Sequence, residues 1–170
     1  YKNISAFYIK DQSGEHRLTQ RNISIENWFC YRNGIVAYSA YSPDARWELR
    51  DYNNIYLYDI HTKQEKKITS KAKYYTPDLS PSGTQIVSVF FNDSTASELH
   101  LLNTDGQVRH RLRNENGSMF VHPRFIDESS VVVAERLPNS MMTLNRIDVN
   151  SGKREELIPP SYATIGFPFV

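Results

Sequence analysis

With 170 residues, 39% of them hydrophobic, and 20 lysines and arginines against 19 aspartates and glutamates, the chain has an ordinary globular composition, not that of a disordered, collagenous or fibrous protein. A net charge of +1 gives no electrostatic ground for binding nucleic acid, and apolar runs such as 86–91 and 131–134 are too short to cross a bilayer at roughly 20 residues per helix, so no membrane insertion is expected. A domain of this size buries roughly 70% of its unfolded-chain surface without a metal or a disulfide, and the single cysteine, Cys30, can form no internal bridge.

In chain order, residues 7–19 read as a hairpin: an apolar run, a polar turn around Gly14, and a second run ending at Leu18. After Trp28 comes the turn Arg32-Asn33-Gly34, where glycine supplies positive φ, and then the β-forming run 34–38. A second hairpin covers 57–69. Leu79 follows Pro77 in a short apolar strand that leads into the turn Ser80-Pro81-Ser82-Gly83 and the run 85–91. A third hairpin spans 99–112, Phe125 follows Pro123, and the turn Asp127-Glu128-Ser129 precedes the run 130–134. A fourth hairpin spans 144–158, after which Phe169 follows Pro168.

These elements repeat. Leu18, Ile68, Leu112 and Leu157 recur at intervals of 50, 44 and 45 residues, and Pro77, Pro123 and Pro168 at 46 and 45. Two independent landmarks therefore share one period, and each period holds four strands. No stretch has helical spacing with caps, so the chain is expected to be all-β, with four-stranded antiparallel sheets arranged as β-propeller blades.

The stretch 74–89 together with 53–69 resembles the TolB-like β-propeller repeats, a bacterial branch of the WD-type propellers. Ser80-Pro81-Ser82-Gly83 corresponds to their Ser-Pro-Asp-Gly turn, with Ser82 in place of Asp, and Ile55-Tyr56-Leu57-Tyr58-Asp59 with Ile68-Thr69 corresponds to their Ile-Tyr-x-x-Asp strand and Leu-Thr ending. The third copy lacks the Pro and Gly of its turn, and no copy ends in Trp-Asp. The resemblance covers nearly the whole chain and implies a periplasmic or secreted bacterial protein. On this reading 1–21 is a half blade, 24–70, 71–114 and 117–160 are blades, and 161–170 is the first strand of another. About three and a half to four blades make an incomplete ring, since propellers have typically 4 to 8. The sequence is thus expected to be a fragment. Tyr1 opens it without a charged-then-apolar leader, and open blade edges are expected to lead to self-association.

No signature of catalysis is present: neither Gly-x-Ser-x-Gly, nor His-Glu-x-x-His, nor a phosphate-cradling glycine loop. No catalytic residue, metal or cofactor is therefore expected. His16, His61, His100 and His110 lack the spacing of metal ligands on one element and read as packing or solvent-facing side chains. His122, beside Pro123 at the start of an innermost strand, is the one histidine placed to face a central channel. The turns 103–106 and 148–152 lack the following glutamate of a calcium loop and read as hairpin turns. Asn3, Asn22, Asn92 and Asn116 begin Asn-x-Ser sites, which are silent in a bacterial host.

The rim formed by loops between second and third strands and between blades holds the candidate contact residues. The 41–52 loop supplies Arg46, Trp47, Glu48, Arg50 and Asp51, and Tyr75, His122 and Arg136 complete a partner-binding set rich in interface-type side chains. Tyr41, Asp44, Tyr74, Asn114, Met119, Phe120 and Tyr162 fall on the same rim. In the plainer reading Trp47 folds onto its own blade, the charges are solvated, and Tyr74 and Tyr75 pack between blades. The expected role is a noncatalytic scaffold for a protein or peptide. The alternatives are an accessory propeller gating substrate for a peptidase domain outside the segment, or a carbohydrate-active propeller, which would need more channel histidines than the one found.

Overall fold

The structure is a computed structural model that describes residues 5–24, 27–47, 50–92, 97–114 and 117–168. Fourteen strands and no helix occur among them. β1 (Ala6–Asp11) and β2 (Gly14–Gln20) form a two-stranded sheet. Three four-stranded sheets follow: β3 (Phe29–Arg32), β4 (Ile35–Pro43), β5 (Asp51–Asp59) and β6 (Gln64–Lys67); β7 (Tyr74–Leu79), β8 (Gln85–Phe91), β9 (Ser97–Asn103) and β10 (Val108–Arg113); β11 (Met119–Phe125), β12 (Ser130–Arg136), β13 (Met142–Asp148) and β14 (Arg154–Ser161). Every pairing is antiparallel between strands consecutive in sequence. These sheets are the propeller blades that the repeat implies, in an open ring.

The hydrophobic cores lie between sheets, which is why the strands alternate in which neighbour they face. In β4, Val36, Tyr38 and Ala40 face Phe7 of the first sheet, while Ala37 faces the blade that follows. In the second blade Ile86 and Leu102 pack against Ile55, Leu57 and Ile68, whereas Val87, Val89, Leu99 and Leu101 pack against Phe120, Phe125, Val131 and Val133. Each such side chain, fully buried, contributes about 1.5–3 kcal/mol. Strand position decides exposure: inner β7 is almost wholly buried, while outer β6, β10 and β14 are largely exposed. Pro159 and Pro160 lie in outermost β14, where a missing N–H removes no shared ladder bond.

The inner strands β3, β7 and β11 are neighbours, and the blades are joined there by polar contacts at repeat-equivalent positions. The amide two residues after each proline reaches the preceding blade: Leu79 N–H donates to Cys30 Sγ (3.1 Å) and Phe125 N–H to Asp78 Oδ2 (2.8 Å). The inner turns are joined likewise, with Asn33 Nδ2 donating to the Pro81 carbonyl (2.8 Å) and Ser82 Oγ to Glu128 (2.9 Å).

Both prolines sit in bulges. Two residues of β7 (Thr76 and Pro77) oppose one of β8 (Ser88), and in β11 His122 and Pro123 likewise oppose Val133. The extra residue precedes the proline, with φ of 48° at Thr76 and 51° at His122, and Phe167 before Pro168 has φ of 40°. Positive φ is costly for a β-branched residue such as Thr76, and it is imposed here because the proline has no N–H for the ladder. The strand anticipated at 161–170 differs: Ser161 closes β14, and 162–168 form no strand among the described residues, which include no following strand for them to pair with. Phe169 lies outside the described residues.

Candidate functional site

The chain between β4 and β5 and the chain between β6 and β7 emerge at the same end of the blades. The carboxylate of Asp44 organises the first of them. Its Oδ1 accepts from the amides of Arg46 (2.8 Å) and Trp47 (3.2 Å), and its Oδ2 from the Tyr52 hydroxyl (2.6 Å). The Tyr52 hydroxyl and these amides hold the Asp44 carboxyl below the usual carboxylate range. Backbone bonds Asp44 N–H to Arg50 O and Arg50 N–H to Trp47 O, both 2.9 Å, close the loop. Thus the loop projects Arg46, Trp47 and Arg50 while neutral and acidic partners stay in its frame. The Trp47 side chain is 61% exposed. Most of the residue therefore faces solvent.

A depression of about 560 Å³ lies along this loop. Arg46, Trp47 and Arg50 line it, joined by Tyr52, Lys67 and Lys71. None of its four cationic side chains makes an ion pair among the described residues, and Asp44 is its one carboxylate there. Arg50 lies over the Tyr52 ring at 5.9 Å. Lys67 and Lys71 are absent from the sequence-derived set. They follow from the repeat register, which puts the 68–73 connection at the same end as the 41–52 loop, and from the basic run at Lys66, Lys67, Lys71 and Lys73.

Tyr75 and His122 line a second, more apolar depression of about 360 Å³ between the second and third blades, with Thr76, Val89, Phe91, Phe120 and Val121. Two polar atoms here are buried without a partner among the described residues: Thr76 Oγ1, on a residue 3% exposed, and His122 Nδ1. Burial pushes the His122 imidazole below its ordinary value. His122 also lies 5.3 Å from Trp28 and 4.2 Å from Phe167, ring to ring, next to Arg124 over Trp28 at 5.0 Å. A smaller depression of about 180 Å³ joins the two, sharing Arg50, Tyr52 and Lys71 with the first and Phe91 with the second.

The remaining residues of the sequence-derived set stand apart. Asp51 begins β5 opposite Pro43, and Arg136 ends β12, exposed; neither lines these depressions. Glu48 lies outside the described residues. Tyr74 is buried between blades, its hydroxyl 2.9 Å from His100 Nδ1, and burial pushes its phenol up to about 12. Tyr75 packs edge-on against Phe91.

Among the described residues no group of three or more His, Cys, Asp or Glu is placed to hold a metal ion. Asp11, Ser13 and His16 lie together on the first hairpin but are not wired as a relay. Ser13 Oγ donates to Asp11 (2.6 Å), and both residues approach the same Nε2 of exposed His16. A general base needs that nitrogen free while the acid holds the other.

The blade geometry decides the comparison with known structures. The fold is a TolB-like β-propeller. Among solved structures, a putative TolB from Agrobacterium tumefaciens superposes with a TM-score of 0.69 at 17% identity, covering 92% of this chain and 57% of that one. TolB from Acinetobacter baumannii gives 0.63 at 17%, over 93% and 39%. The β-propeller domain of the trilobed protease from Pyrococcus furiosus gives 0.58 at 15%, over 79% and 44%. The chain thus spans about half of these propeller proteins or less. No protein-family model and no curated protein sequence matches it.

Proposed function

We propose that this chain is a noncatalytic scaffold, part of a TolB-like propeller in a bacterial envelope or secreted protein, which holds a protein or peptide partner at the end formed by the 44–50 and 68–73 connections. One observation carries this reading: the Asp44 hydrogen bonds hold a 61% exposed tryptophan among cations that make no ion pair among the described residues, the composition of an interface centre rather than of a solvated loop. A photo-cross-linking residue at position 47 is expected to trap a partner in the parent organism's periplasm. The same residue at Glu155, on outermost β14, serves as the control. Equal trapping at both positions, or partner binding unchanged by Trp47→Ala, removes the reading.

The likeness to peptidase propellers supports a second reading, in which the segment filters substrate for a catalytic domain elsewhere in its chain. A hydrolase motif in the flanking reading frame decides for it. In either case the isolated segment is expected to pair with a second copy through its open sheet faces, where Leu157 and Ile158 are 45% and 41% exposed. A light-scattering mass of one chain at high concentration contradicts that pairing.

A further inference from the structure

We propose that the three connected depressions form one groove that takes an acidic, extended protein segment, with its carboxylates over Arg46, Arg50, Lys67 and Lys71 and a following apolar side chain between the second and third blades. The inference deepens the scaffold reading and rests on it.

Charge sets the outer depression apart. The chain as a whole is nearly neutral at +1, yet the outer depression collects four cations with no ion-pair partner among the described residues. Its carboxylate, Asp44, is already occupied by three donors. Two of the cations are arginines, whose planar forks suit carboxylates. Trp47 and Tyr52 add apolar surface that a bare inorganic anion would not use.

The groove then changes character. Past Arg50, Tyr52 and Lys71 it reaches Phe90 and Phe91, and Phe91 borders the pocket of Tyr75, Val89, Phe120 and Val121. That wall is chiefly apolar, so a ligand gains there by burying an apolar side chain of its own. A polypeptide carries carboxylates and apolar side chains along one extended strand. Nucleic acid fits less well, because no cation lines the inner pocket and the basic side chains do not continue along the groove as a stripe.

The test is fluorescence anisotropy on the full chain with a labelled peptide of several glutamates followed by two phenylalanines. Its lysine-for-glutamate counterpart and a labelled oligothymidylate are the controls. The glutamate peptide is expected to bind, and to weaken roughly tenfold or more between about 50 mM and about 500 mM salt. Arg50→Glu combined with Lys71→Glu should reverse the preference toward the lysine peptide. Lys67→Gln combined with Lys71→Gln, a milder change that keeps the folded melting profile, should weaken the glutamate peptide several-fold. Equal binding of both peptides, salt-independent binding, or tighter binding of the oligothymidylate overturns the inference. If position 47 still traps a partner while the glutamate peptide fails to bind, this inference falls and the scaffold reading stands; if the peptide fails and position 47 traps nothing, both fall.

Discussion

At Gly106 backbone geometry leaves no alternative residue. Its φ is +94°, and a Cβ there would lie 1.9 Å from the Ile68 carbonyl oxygen of the preceding blade. The obstacle is backbone, so no side chain can swing aside. Gly106→Ala is expected to cost about 3 kcal/mol or more, combining left-handed strain with a forced shift between blades, as read from urea unfolding midpoints.

His100 ties stability to pH. It is 3% exposed and stacks on Phe90. Its Nε2–H donates to Glu98 and its Nδ1 accepts from the Tyr74 hydroxyl, both at 2.9 Å. Burial pushes its imidazole below the ordinary value, although Glu98 pulls the other way, and buried His122 is shifted in the same direction. The unfolded chain therefore takes up these protons first as pH falls. The stability they contribute is complete above the ordinary value of about 6.5 and is lost on acidification below it. Unfolding midpoints should fall between about pH 7.5 and about pH 5.5, and His100→Gln should reduce that slope. Cys30 is inert by the same physics: burial first, and then the Asp78 charge, push its thiol up to about 12.

Among the elements, the inner strands hold what the repeat pattern conveyed only in part. The hairpins at 57–69, 99–112 and 144–158 were legible because apolar runs and turn residues fix both the strands and their pairing, and they correspond to β5–β6, β9–β10 and β13–β14. The prolines marked the period. What they did to the strand was legible only in part, because a proline inside a strand marks a bulge or an edge without telling which residue is added or where its side chain is sent. The same bulges turn Thr76 and His122 into the inner pocket, so that part of the site depended on them. Asp44 was seen as one more rim charge, whereas its role is internal, a consequence of where Tyr52 falls on β5.

Asp78 and Arg124 join β7 to β11. The Asp78 side chain is fully buried, 3.0 Å from Arg124 Nη1, and accepts the Phe125 amide; burial nevertheless raises its carboxyl above the ordinary range. Such a pair adds little net stability but is costly to break. Arg124→Ala strands the carboxylate and removes the contact with Trp28, and is expected to cost about 3–5 kcal/mol in chemical denaturation. Asp78→Asn, which keeps an acceptor for the Phe125 amide, should be the milder change.

For the whole molecule, the location of the cores decides what any position is worth. Ile68 and Leu157 occupy the same place in the repeat. Ile68 is 9% exposed because the next blade covers it, while Leu157 is 45% exposed on the last described sheet. Ile68→Ala is expected to cost about 2–4 kcal/mol, whereas Leu157→Ala should change stability by about 0.5 kcal/mol at concentrations too dilute for two copies to pair, both read from thermal and urea unfolding. A cost at Leu157 as large as that at Ile68 would mean that something covers that face in solution.

Hydrophobic burial shared between adjoining sheets has a genealogical corollary. No sheet here owns an interior, so each is a wedge that presents one half of a seam on either side. Duplicating or deleting a stretch of one period restores every seam it interrupts, and the tally of wedges can drift during descent while the grooved rim persists. Scaffolds built this way change their circumference more readily than their surface chemistry.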